Sequence, residues 1–85
     1  MRKYTQKVGS DFVNGSNYSQ AATCLVRGNV FYSYNTPIAV RKDGKYYMTE
    51  EYYSPTTSGQ QNALKKLIPS HLLEIVSSDE IEAMV

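Results

Sequence analysis

Arg41, Lys42 and Lys45 flank an Asp43-Gly44 pair, and Tyr32, Tyr34, Tyr46 and Tyr47 stand on the segments either side of it. Cations beside aromatic faces can hold single-stranded nucleic acid, because rings stack on bases while the cations follow the phosphates. The same residue types also have a plain structural use, since tyrosines cover half-buried strands and charged hairpin tips resist edge aggregation. A second constellation lies just downstream, where Tyr47, Glu50, Glu51, Tyr52 and Tyr53 set rings among carboxylates. Eight tyrosines in 85 residues, with two Phe and no Trp, supply the large amphipathic contacts that protein interfaces favour. This second patch is the expected protein-binding surface, and Arg41, Lys42, Lys45, Tyr32 and Tyr34 are the alternative, nucleic-acid-binding set.

Catalysis finds little support. The single Cys24 and the single His71 are far apart and begin no recognised ligand spacing, so no metal site is expected. Serines and threonines are plentiful, but residue types alone define no triad. Glu50 and Glu51 are adjacent, and neighbours on a strand point to opposite faces, so they would not converge as a catalytic pair. The five glycines are dispersed, without a phosphate-loop or dinucleotide pattern. Neither an enzyme nor a cofactor is expected.

Eighty-five residues make one domain that buries only about 60% of its unfolded surface, so modest stability is expected unless self-association helps. One cysteine excludes an internal disulfide and agrees with a reducing compartment. The first eleven residues hold Arg2, Lys3 and Lys7 without an apolar run, which argues against a signal peptide or spanning helix and for a cytoplasmic location. The net charge is only +1, yet residues 1–49 carry seven Lys/Arg against two Asp, whereas residues 50–85 carry two Lys against six acids. That asymmetry can orient a partner or hold the C-terminal segment against its own domain.

The elements that must position these residues centre on 30–49. Segments 30–34, 38–42 and 45–49, rich in aromatic and β-branched residues, are separated by turns at Asn35-Thr36-Pro37 and Asp43-Gly44. Asp-Gly supplies the two positive φ angles that a type I′ hairpin needs, so a three-stranded antiparallel meander is expected, with 22–26 as a fourth, edge strand. Ile38, Val40, Tyr46 and Met48 are expected to face the core, with Arg41, Lys45 and Tyr47 toward water or a partner.

Tyr4, Val8, Phe12 and Val13 recur near helical spacing, which predicts an N-terminal amphipathic helix ended by Asn14-Gly15-Ser16-Asn17. Residues 18–21 and 50–57 read as loops. Ser58 with Gln61 has capping-box spacing and predicts a helix from Gly59 or Gln60 to Ile68, stopped by Pro69. Residues 71–76 fit either a short helix or a strand, and the short helix is expected. Ser77 with Glu80 repeats the capping box before a last helix through Met84.

The string from Asn35 to Gly44, with Thr56-Thr57-Ser58 and Gln61-Asn62-Ala63-Leu64, resembles a family of small uncharacterised proteins of bacteriophages and mobile elements along about residues 2 to 67. Members of that family carry His-Gly ahead of the Asn, where this chain has Ser33-Tyr34. They also carry a Gly in the loop where this chain has Tyr52-Tyr53. The resemblance brings no chemistry with it. It implies a protein that binds and blocks a host protein or defence complex stoichiometrically, as an anti-CRISPR-like inhibitor does, in the cytoplasm of an infected bacterial cell.

The expected architecture is thus a single α+β domain over 1–85. An antiparallel meander of three or four strands packs against an N-terminal helix and one or two C-terminal helices. The expected function is inhibition of a host protein by binding; the alternatives are a nucleic-acid-binding module and a structural homo-oligomer or homodimer. No membrane partner is expected.

Overall fold

The computed structural model describes residues 3–85, with side chains from Gln6 onward. The expected place of Tyr4 on the helical stripe lies outside the described side chains. In chain order the elements are α1 (Lys3–Val13), β1 (Tyr18–Gln20), β2 (Cys24–Arg27), β3 (Val30–Ser33), β4 (Thr36–Lys42), β5 (Lys45–Thr49), α2 (Pro55–Leu67), a 3-10 turn (Ser70–Leu72), β6 (Leu73–Val76) and α3 (Ser78–Met84). The six strands found among the described residues form one sheet in sequential order. The first five pair antiparallel, and β6 joins β5 in parallel. A parallel neighbour needs a crossover, and α2 provides it.

The class is α+β, as the sequence implied, but the sheet has six strands rather than three or four. The Asp43-Gly44 turn has both φ angles positive, at 54° and 76°. The preceding turn is Tyr34-Asn35, not Asn35-Thr36-Pro37, since Thr36 and Pro37 already belong to β4. Pro37 is tolerated in the strand because it sits at a bulge: Phe31 pairs with Ala39 but Tyr32 pairs with Pro37. The extra residue, Ile38, is thereby packed with Ala39 in one core, and Val40 turns to the other side.

Both faces of the sheet are used. Val8 and Phe12 of α1 and Leu64 of α2 pack on Val26, Phe31 and Met48. Val30 and Val40 on the opposite face receive Ile81 of α3. Phe12 is fully buried, edge-on to Phe31 at 5.7 Å and to Tyr46 at 5.9 Å between centroids. Gly9 lets the two large helices cross closely, since a Cβ there would stand 3.1 Å from a Leu67 methyl.

Residues 18–20 are a strand, not a loop. Its inward residue is Ser19, whose hydroxyl donates to Asp11 Oδ2 at 2.6 Å and so ties β1 to α1. That hydrogen bond, with the Lys7 ammonium at 2.9 Å, holds the Asp11 carboxyl below its usual pKa. Residues 73–76 likewise are a strand rather than helix, preceded by the 3-10 turn.

α2 is capped four residues earlier than expected. Ser54 is the N-cap, its Oγ accepting from the Thr57 amide at 3.2 Å, and Pro55 opens the helix. Gln61 does not close a box on Ser58. Its amide instead donates to the carbonyls of Thr49 at 2.9 Å and Glu51 at 3.1 Å. Thr57 shares a buried hydrogen bond of 2.7 Å with Ser33, which fixes the cap to the sheet. Ser54→Ala is therefore expected to lower stability by about 1 kcal/mol, measured as a shift of the urea midpoint at unchanged slope.

Candidate functional site

The loop from β5 to α2 and the start of α3 meet at one end of the sheet. β6 delivers the chain to Ser77 next to Thr49, because its parallel register pairs Val76 with Thr49. Ser77 then caps α3, accepting from the Glu80 amide at 3.1 Å. This is half of the capping box the sequence implied: the Glu80 carboxylate accepts from the Ser77 hydroxyl at 3.4 Å and not from its amide. The residues that follow, Asp79, Glu80 and Glu82, are exposed.

Tyr53 joins the two segments. Its hydroxyl lies beside the Glu51 carboxylate and the Ser78 hydroxyl, with Glu82 near enough to act on it. Partial burial first, and the Glu51 carboxylate next, push its pKa up, so the phenol stays protonated well above neutral pH. Tyr52, the next ring, is 68% exposed. The loop that carries it is not slack: the Glu51 amide donates to Thr49 Oγ1 at 3.1 Å, and Gln61 holds the carbonyls on either side of Glu50. Glu50 is ion-paired with Lys65 of α2.

Of the residues expected to bind protein, Glu50, Glu51, Tyr52 and Tyr53 are exposed on this loop. Tyr47 is half-buried beside Ile81. The sequence reading did not place the acids of α3 beside them. The signal lay in Leu73–Val76, which as a strand brings α3 onto the sheet and as a helix leaves it anywhere.

The alternative set is divided. The Arg41 guanidinium is spent internally, donating to the Phe12 carbonyl at 2.6 Å and stacking over the Phe12 ring at 5.4 Å. Lys42 and Lys45 are exposed at the β4–β5 turn. Tyr32 is half-buried against the Val30 and Val40 cluster, and Tyr34 is 55% exposed on the β3–β4 turn. Strand alternation puts Lys42 and Lys45 on the side of the sheet that carries Val40 and Tyr47.

Among the described residues no group of three or more His, Cys, Asp or Glu is placed to hold a metal ion, and no helix is long and apolar enough to cross a membrane. No curated protein and no solved structure matches the chain. A family model does match, over residues 2–82, and it describes a family of unknown function (DUF8033). With nearly every residue inside that match, from the first helix through most of the last, the chain belongs to the DUF8033 family.

Proposed function

We propose that the protein acts without catalysis, by docking the Tyr52 end of the sheet onto a protein partner whose surface is basic. The observation that carries this reading is Tyr52, a large ring 68% exposed on a loop tied down by Gln61. An exposed aromatic on a held backbone loses little conformational freedom on binding, which is what interface anchors require. Glu51 beside it, and Asp79, Glu80 and Glu82 on α3, supply a negative rim that steers a positive partner. Basic surfaces are the working faces of proteins that handle nucleic acid. Occupying one blocks it stoichiometrically. In its most specific form, the chain is a phage or mobile-element product that disables a host defence complex in the cytoplasm in this way, as anti-CRISPR-like inhibitors do; the sequence resemblance supports that version.

Capture from a bacterial host lysate with mass identification should return one dominant partner, which then binds the purified protein one to one. Tyr52→Ala is expected to weaken that binding about 30-fold, the size of a hot-spot aromatic. Glu51→Lys should slow association and flatten its salt dependence. Undiminished binding by both variants would refute the surface.

A further inference from the structure

A second surface, on the half of the sheet that α3 leaves open, carries different chemistry. The pairing register sets Tyr18, Arg27 and Val30 in one row across β1–β3, and Gln20, Leu25 and Tyr32 in the next. By alternation both rows share the side of Val30 and Val40, where α3 packs mainly on β4 and β5 and reaches β3 at Val30 and the inner edge of Tyr32. Tyr18 is 59% exposed, and Arg27 and Gln20 are exposed with it.

Two adjoining hollows indent this surface. One, of about 210 Å³, lies among Leu25, Arg27, Tyr32, Tyr34 and Asn35. The other, of about 270 Å³, follows the β1–β2 loop and shares Leu25, Tyr34 and Asn35 with the first. Tyr34 therefore borders both. It holds φ at 56°, a left-handed conformation that a residue with a Cβ adopts only at a cost, and it leaves the ring more than half exposed. Strain kept at an exposed aromatic, where glycine would be easier, points toward use.

The hollows themselves carry no negative charge, although α3 brings acids to another part of the same face. Arg27 is the only ionised residue lining the first hollow, and no carboxylate lines either one. Lys42 and Lys45 add two exposed cations on the same side, with the exposed Asp43 in the turn between them, at the corner where Asn29 of the β2–β3 turn donates to the Arg41 carbonyl. Hollows lined by exposed rings, amide side chains and the Arg27 cation, with no carboxylate among them, suit an anionic ligand with flat faces.

We propose that this open half-sheet binds single-stranded nucleic acid, with bases stacked on Tyr34 and Tyr32 and phosphates met by Arg27, Lys42 and Lys45. Shallow hollows between rings accept unpaired bases, whereas a duplex hides its base faces and is read by elements that enter a groove. This surface is separate from the Tyr52 end, so the two readings stand or fall independently.

The test is fluorescence anisotropy of a labelled single-stranded oligonucleotide of mixed sequence, as DNA and as RNA, titrated with the intact protein at low and physiological salt. Saturable binding of either is expected, with a log–log salt slope near −2 for about three phosphates on a single strand. Tyr34→Gly fits the left-handed turn and keeps the fold, which circular dichroism verifies, and should weaken binding at least about tenfold by removing a stacking face. Arg27→Ala should reduce the slope by about 0.7. Tyr52→Ala should leave oligonucleotide binding unchanged. The proposal is overturned by absence of binding at low salt, by equal competition from duplex, or by full binding of the Tyr34→Gly variant. Protein capture that Tyr34→Gly abolishes, with no oligonucleotide bound, would assign the surface to a protein instead.

Discussion

Phe12→Ala is expected to remove most of the domain's stability, at a cost of about 3–5 kcal/mol. The whole stability of an 85-residue domain is on the order of 4–13 kcal/mol, so the loss is a large share of it. Phe12 is expensive to delete because three separate things converge on its ring. It fills the core between α1 and the sheet with no exposed surface. It meets Phe31 and Tyr46 edge to face, an arrangement that adds about 0.5–1.5 kcal/mol per pair beyond area. Its outer face carries the Arg41 guanidinium, which also takes the Phe12 carbonyl. With the ring gone, Arg41 keeps its hydrogen bond but loses its platform, and α1 is left with Val8 as its fully buried apolar anchor among the described side chains. Urea denaturation followed by circular dichroism should show the midpoint falling by half or more. A loss under about 1 kcal/mol would mean that α1 is dispensable, which the depth of this ring contradicts.

The parts of this fold that could be read in the sequence are those in which local chemistry and tertiary packing agree. Asp43-Gly44 needed positive φ at both positions and has it, so β4 and β5 were legible from their turn alone. The N-terminal helix was legible because Val8 and Phe12 share its buried stripe. β1 was not, because three residues give little pattern and the buried one is a serine satisfied by Asp11. The first turns of α2 were hidden for a related reason. Their buried residues are Thr57, Gln60 and Gln61, which face inward to bond Ser33, Thr23 and Thr49 rather than to bury carbon. Hydrophobic periodicity cannot report a polar face, so Ser58 was a natural but mistaken cap.

β6 was hidden for a different reason. Leu73–Val76 carries both periods, and only the edge of β5, distant in sequence, selects the strand. The candidate surfaces inherit these limits. The Tyr52 loop was legible as an exposed turn, but its acidic neighbours on α3 depended on β6. Arg27 entered view only once β1 and β2 were known to be paired. Arg41 looked like a free cation at a hairpin tip; the Phe12 carbonyl that holds it belongs to a helix 29 residues earlier.

Ile81→Ala is the complementary case, in which one buried side chain controls a surface rather than the whole core. α3 has seven residues, too few to stay helical on its own, so its Ser77 cap cannot maintain it without packing. Ile81 supplies that packing as the buried residue of the helix, set against Val30 and Val40. Truncating it should cost about 2–4 kcal/mol. The loss should appear first as local opening, since the core under α1 and α2 shares none of these contacts. Hydrogen exchange should then show the amides of α3 unprotected at denaturant concentrations where β3 and β4 remain closed. The two surfaces should respond in opposite directions. Partner binding at the Tyr52 end falls, because Tyr53 loses Ser78 and the rim loses Asp79, Glu80 and Glu82. Oligonucleotide binding on the open half-sheet stays or strengthens, because an acidic helix has left the same face. If both fall together, the variant has unfolded more than α3, and Ile81 belongs to the same cooperative unit as Phe12.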